Sequence, residues 1–305
     1  MTALSAPGVR RRGRRRTGRR WIGWAFVGPF VAVFGFAMVA PIGYAIYLSL
    51  FQNKLLGGNS FVWLDNYTQA LGDSQFWSAL ARVAEFLAVQ VPIMLLLALF
   101  VAVAIDSARL YWPRLFRLVI FLPYAVPAVV AALMWGFMYG NQFGLVSDLS
   151  SFLGISLPNP LGQHLVLASI GNIVTWEYLG YNMLIFYSAL QAIPAELYEA
   201  AALDGAGSVR VVTSIKLPAL KPAILVATIF SIIGSFQLFN EPTILKQLSP
   251  DTISTYFTPN MYAYNLSFSG EQYNYSAAIA ILMGLITMGA AYGVQRSVAR
   301  RVAQA

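Results

Sequence analysis

Cysteine is absent from this 305-residue chain, histidine occurs once, and charged residues make up only 10% of it. Without thiols there is no disulfide framework and no thiolate metal site. The lone histidine, His164, reads as a single interface side chain, not as a ligand. Acids paired at metal-ligand spacing are also missing, and most of the 12 carboxylates stand isolated in loops. The one short Gly-rich stretch between apolar runs, Asp204-Gly205-Ala206-Gly207, lacks the Lys and Ser/Thr that a phosphate-cradling loop needs. No cofactor is expected, and no constellation points to an enzyme. What the chain does have is apolar side chains: at 58% hydrophobic residues it cannot cover a soluble surface.

A bilayer core of about 30 Å needs roughly 20 apolar residues per helical span. Six runs meet that requirement, near residues 24–50, 81–105, 115–139, 164–190, 219–240 and 275–295. Strands of a membrane barrel would alternate in polarity over about ten residues, whereas these runs are apolar on all sides. The expected fold class is all-α, a polytopic membrane protein with six transmembrane helices.

Lysine and arginine set the orientation. With the N-terminus in the cytoplasm, 17 of the 20 basic residues fall in inside segments, and only Lys54, Lys246 and Arg82 fall outside or near the outer end of a span. That distribution satisfies the positive-inside rule and places both termini in the cytoplasm. The expected organisation is a basic tail over 1–23, a six-helix membrane domain over 24–295 and a C-terminal tail over 296–305. The Arg10–Arg20 cluster is read as lying on anionic lipid. The apolar run behind it is too long for an export signal, and nothing points to nucleic acid.

Between the fourth and fifth runs stands "LQAIPAELYEAAALDGAGSVRVVTSIKLPALKPAI". Pro194 suits a first helical turn, Glu196 and Glu199 favour the early turns through the helix dipole, and Gly205 supplies a left-handed stop. A second short helix is expected from Ser208 as N-cap to Leu217, ended by Pro218. The three alanines Ala200, Ala201 and Ala202 keep the first helix slim. On composition alone this is an ordinary intracellular loop.

The residue order adds more. Glu199, Ala200, Ala201, Asp204, Gly205, Ala206, Ile215, Leu217, Pro218 and Pro222 closely resemble the EAA loop of binding-protein-dependent ABC importer permeases, and "LQAIPAELY" is typical of the carbohydrate branch. The segment "RLFRLVIFLPYAVPAVVAALMWGFMY" looks like the third span of the larger sugar-permease subunit, with Pro123 and Pro127 as helix irregularities. Two departures stand out: Val212 replaces the usual aromatic, and the segment after span five lacks a Gly-rich "TGGGP". The resemblance implies a permease subunit for a sugar, most simply a di- or oligosaccharide, working by alternating access. It also implies that residues 192–222 form a coupling loop docking on a separate ATP-binding-cassette ATPase dimer, with Glu199 facing a basic group. A second homologous permease subunit and an extracellular or periplasmic sugar-binding protein or lipoprotein complete the implied assembly. The outer segment following span five, rich in Tyr, Asn, Ser and Thr, would meet that binding protein.

Polar side chains within spans are costly and face a bundle interior or a wet cavity. Span four offers Glu177, Tyr178 and Tyr181, and span five offers Phe236, Gln237 and Asn240, both at offsets i, i+1 and i+4 that gather on one helix face. Aromatic rings contact sugar C–H groups, while amides and carboxylates bond hydroxyls, so the six are candidate substrate residues. They align with substrate-contacting positions in maltose-type permeases, Tyr181, Phe236 and Asn240 by residue type. Each could instead serve helix contact with a satisfied hydrogen bond. Alternative cargoes within the same family are glycerol phosphate and polyamine. An ATP-independent secondary transporter would need coupling-ion residues and inverted repeats, which are not visible.

Overall fold

The computed structural model describes residues 18–54, 58–107, 110–140 and 144–303. The basic cluster Arg10–Arg16, like Arg109, lies outside the described residues.

The chain opens with α1 (Gly18–Phe34) and α2 (Ala40–Ser49), joined through a π turn over Gly35–Val39 into one rod. Along its apolar length the rod is not covered by the rest of the chain, and a helix that is hydrophobic all round without protein over it is suited to lipid. A two-stranded hairpin follows, β1 (Phe51–Lys54) against β2 (Gly58–Phe61) in register Phe51↔Phe61, with Gly58 at φ +69° where a side chain would be strained. This hairpin is the one departure from the all-α expectation among the described residues. It is followed by α3 (Asp65–Gly72) and the 33-residue α4 (Ser74–Asp106), whose N-cap is Asp73.

Next come α5 (Pro113–Phe121), a 3₁₀ turn over Leu122–Ala125, and α6 (Ala128–Met138), bent from one another by 96°. Pro127 caps α6 with ψ 135°, an extended value that no helix tolerates, so the break expected at Pro123 and Pro127 is made by the prolines themselves. α7 (Leu145–Leu153) leads to α8 (Val166–Leu190), and the interhelical segment then forms α9 (Ala195–Leu203) and α10 (Ser208–Val211). The chain finishes with α11 (Leu217–Phe236), α12 (Asn240–Leu248), α13 (Pro259–Phe268) and α14 (Tyr273–Ala303).

Hydrogen bonds between elements set the helix directions. Gln90 of α4 meets Thr175 of α8, and Gln191 after α8 meets Asp106 at the end of α4, so these two helices run parallel. Tyr139 after α6 bonds Asn172 and Ser169 near the start of α8, while Arg117 of α5 lies over the Tyr187 ring near its end, so the bent pair runs the other way. Lys216 beside α11 bonds Asp106, and Tyr275 of α14 bonds Asp73, placing these helices against opposite ends of α4. Small residues of α4 and α11, Ala98, Ala102 and Ala227, let Met183, Phe186 and Leu190 of α8 approach closely.

Four helices among the described residues are long and apolar enough to cross a membrane, over Gly23–Ser49, Ser74–Asp106, Ser208–Phe236 and Tyr273–Ser297, and the bent pair makes a fifth. The fourth run expected from the sequence, α8, is 25 residues long but too polar to be counted with them. Asn172, Glu177 and Asn182 are the reason.

One expected helix end needs correction. Pro218 does not end the second loop helix. A π turn over Val212–Lys216 carries α10 into α11, with the Leu217 N–H bonded five residues back to the Val212 carbonyl. The wider turn removes the clash between the proline ring and the carbonyl four residues earlier. The same device precedes Pro41, where the Ala40 N–H bonds the Gly35 carbonyl. At the other end of the chain, α14 continues through residue 296 to Ala303.

Candidate functional site

The α9 knob is built by short-range chemistry. Pro194 is its N-cap at ψ 136° and not a first-turn residue, and Glu196 sits in the first turn. At its end the Gly205 N–H bonds the Ala202 carbonyl and the Ala206 N–H bonds the Ala201 carbonyl, at 3.1 and 2.9 Å. With Gly205 at φ +70°, this is a Schellman closure, which a side chain at that position would strain. Glu199, Ala200, Asp204 and Gly205 are exposed, and Ala201 and Ala206 are half-buried. Leu203 at 90% and Val209 at 78% are among the most exposed apolar side chains of the chain.

Behind the knob, Lys216 Nζ donates to Asp106 Oδ2 at 2.6 Å, and Gln191 Nε2 donates to Asp106 Oδ1 at 2.7 Å. Lys216 also lies 5.7 Å from the centre of the Tyr198 ring. The knob therefore hangs from the end of α4 through both oxygens of one carboxylate. A recess of about 680 Å³, with Asp106, Tyr198, Ala206 and Lys216 in its wall, separates knob and bundle.

A second cavity, of about 360 Å³, opens within the bundle between α4, α8 and the segment linking α11 to α12. Gly180 makes it possible. A Cβ there would stand 2.1 Å from the Ile120 carbonyl oxygen, so only glycine lets α8 touch the backbone of α5. That contact brings Tyr124 over Tyr181, stacked at 4.9 Å and 18°, and edge-on to Tyr178 at 5.7 Å. The three rings form one wall.

Of the six candidate substrate residues, Tyr178, Tyr181, Gln237 and Asn240 line this cavity. Glu177 and Phe236 do not. Glu177 is 3% exposed, its Oε2 has no hydrogen-bond partner, and it sits within electrostatic reach of Glu241 and Tyr178. Phe236 packs with Ile232, Ile279 and Met283 and lines a groove between α11 and α14. The helical spacing assumed for Phe236, Gln237 and Asn240 fails because α11 stops at Phe236 and the chain bends before α12 begins at Asn240. Trp176, by contrast, packs edge-on against Trp135 at 6.0 Å, as a core residue should.

Among the lining residues that sequence reasoning missed are Gln90, Tyr124 and Glu241. Gln90 comes from α4, where its amide nitrogen donates to Thr175 Oγ1 at 3.3 Å and leaves a buried, unpartnered oxygen. Tyr124 comes from the proline break, and Glu241 follows the bend after α11. A polar residue inside the α4 run was a legible signal for Gln90. The other two needed the chain path.

At the far end of α4, Asp73 Oδ2 accepts from Tyr262 at 2.5 Å and from Tyr275 at 2.7 Å. Burial pushes this carboxyl up, but those bonds and the Gln75 and Phe76 N–H groups outweigh it and hold it below the ordinary aspartate value. Nearby, Arg82 donates to the Tyr256 and Phe257 carbonyls at 3.0 and 2.7 Å, tying the segment after α12 to α4.

Comparison with known proteins agrees with this architecture. The chain is 32% identical over 273 residues to the lactose transport system permease protein LacF of Rhizobium radiobacter, covering 87% of this chain and 89% of that one. It superposes with a TM-score of 0.81 and 19% identity on a chain from the crystal structure of a bacterial ABC transporter involved in import of the acidic polysaccharide alginate, covering 93% and 96% of the two. The alginate transporter in complex with its alginate pentasaccharide-bound periplasmic protein matches equally well, at TM-score 0.81 and 20% identity. Residues 86–304 match the family of binding-protein-dependent transport system inner membrane components, and the chain belongs to that family.

Proposed function

We propose that this chain is the sugar-conducting permease subunit of an ABC importer, with six spans and both termini in the cytoplasm. The spans are the rod, α4, the bent pair, α8, the α10–α11 helix and α14. In this reading α8 crosses with Tyr178, Tyr181 and Asn182 turned to the pathway. Residues 192–222 act as the coupling loop: Glu199, with Ala200, Ala201, Asp204, Gly205 and Ala206 shaping the knob, docks on an ATPase subunit that supplies hydrolysis. The permease itself breaks no bond. A second homologous permease closes the pathway, and a sugar-loaded binding protein delivers at the Asp73 end.

The observation that carries this reading is the exposed knob, Glu199 outward, bonded through Asp106 to the same α4 whose middle forms the wall of the aromatic cavity. In that cavity Tyr178 and Tyr181 stack on the sugar and Gln237 and Asn240 bond its hydroxyls. Glu177 and Phe236 act behind the wall, through Glu241 and through α14.

The test is ATPase activity and sugar uptake of the reconstituted complex. Glu199→Lys should abolish binding-protein-stimulated hydrolysis or subunit assembly. Asn240→Ala should keep stimulation and lower uptake by about tenfold, the loss of one buried hydrogen bond. If Glu199→Lys hydrolyses and assembles like the parent, the coupling role fails.

A further inference from the structure

The lactose permease relative and the alginate transporter named above carry solutes of different charge by their own descriptions, so kinship leaves the charge of this chain's cargo open. The cavity itself bears on it. No Lys, Arg or His lines its wall, which is aromatic, apolar, amide and hydroxyl (Ser231 and Ser235) apart from Glu241. Glu241 is 6% exposed, and Glu177, at 3%, lies within electrostatic reach of it. Neither carboxylate has an ion-pair partner among the described residues, where the one salt bridge joins Lys216 to Asp106.

The unpartnered atoms are acceptors too. Glu177 Oε2 and Gln90 Oε1 are both buried and without a hydrogen bond, and Gln90 stands in the cavity wall. The Gln90 amide is oriented by the bond from its nitrogen to Thr175, which leaves the oxygen for a ligand. A buried acceptor left unmade is costly, so a ligand that donates is favoured there. A carboxylate, phosphate or sulfonate group entering the cavity would donate nothing to these atoms, would find no cation in the wall, and would lie near two acidic side chains in a medium that screens poorly.

We infer that the wall this chain contributes is selective for uncharged, hydroxyl-rich solutes and rejects those carrying carboxylate, phosphate or sulfonate, with Glu241 and Glu177 as the excluding charges and Gln90 as a hydroxyl acceptor. This rests on the saccharide reading above and narrows its substrate class.

Equilibrium binding to the assembled importer in nanodiscs tests it, with no binding protein present, so that delivery does not contribute. The probes are labelled neutral di- and trisaccharides, including lactose and galactotriose, each paired with its uronate counterpart such as trigalacturonate. Neutral members should bind at least about tenfold more tightly than their uronates, the difference expected when a charge is buried without a partner. In the Glu177→Gln, Glu241→Gln double variant that ratio should fall toward one, mainly through tighter binding of the uronates. Gln90→Leu should weaken the neutral probes while leaving the ratio in place. Uronates that bind the parent as well as the neutral probes, or a ratio unchanged in the double variant, overturn the inference and leave the saccharide reading standing. If no saccharide binds, neutral or charged, the saccharide reading fails and this inference with it.

Discussion

Asp106 and Glu177 are both carboxylates withdrawn from water in one bundle, yet their surroundings are opposite. Asp106 has each oxygen bonded, one to Lys216 and one to Gln191, and so ties the α9 knob to α4. Glu177 has an oxygen with no partner and another carboxylate, Glu241, beside it. A bundle that must transmit force needs satisfied bonds where its elements are joined. A pathway that must receive a ligand needs unsatisfied ones where the ligand passes. In the proposed reading the two sites differ because they serve those different ends.

The largest effect should come from breaking the joined end. Lys216→Met leaves Asp106 shielded without its cation, and chemical unfolding of the purified protein in detergent should show a loss of about 3 kcal/mol. Adding Asp106→Leu should return most of it, because an apolar pair replaces a charge pair without leaving a lone ion. A single variant as stable as the parent would mean that the pair is solvated and the contrast unreal.

The wall of the cavity comes next. Gly180→Ala should cost about 2 kcal/mol, since the new methyl meets the Ile120 carbonyl and must push α5 away. The same variant should separate Tyr124 from Tyr181 and weaken sugar binding, which would show that the stack depends on helix approach. Glu177→Gln should act in the opposite direction to loss of Lys216, stabilising the free protein by up to about 1 kcal/mol because a buried acid with an unpartnered oxygen, beside a second acid, becomes an amide that cannot ionise. Destabilisation by that substitution would mean Glu177 has a partner and would erase the comparison.

The smallest effect concerns a third carboxylate. Asp73 is held below its ordinary value, so its contribution is complete at neutral pH and is lost only as pH falls through the lowered folded-state value, below about 4. Asp73→Asn should lower stability near neutrality slightly and flatten the acid limb of the unfolding profile, because the contribution present above the ordinary aspartate value is removed, read by thermal unfolding across pH. An acid limb unchanged by the substitution would assign that loss to other groups.

Much of the frame was legible along the chain. The rod, α4, the bent pair and α14 answer to runs near 24–50, 81–105, 115–139 and 275–295, because a lipid-facing helix needs apolar residues on every side. The knob was legible for a local reason: Gly205 closes α9 with hydrogen bonds spanning at most five residues. The cavity was half legible. Tyr178 and Tyr181 share a face of an unbroken helix, so their spacing predicts their neighbourhood, whereas Phe236 and Asn240 are separated by a bend that helical spacing does not register.

By itself, then, the sequence determined what depends on near neighbours and on bulk polarity: an apolar helical chain, a loop closed by glycine, a break at two prolines, and the residue order that marks the family. Only the tertiary structure decided what depends on meetings between distant segments. Gln90 and Tyr181 line one cavity, Glu241 lies within electrostatic reach of Glu177, and Asp106 takes Lys216 from 110 residues away. Hydropathy is a property of each residue, but a cavity and an ion pair are properties of the path that brings residues together, and that path turns on close contacts such as the one Gly180 allows.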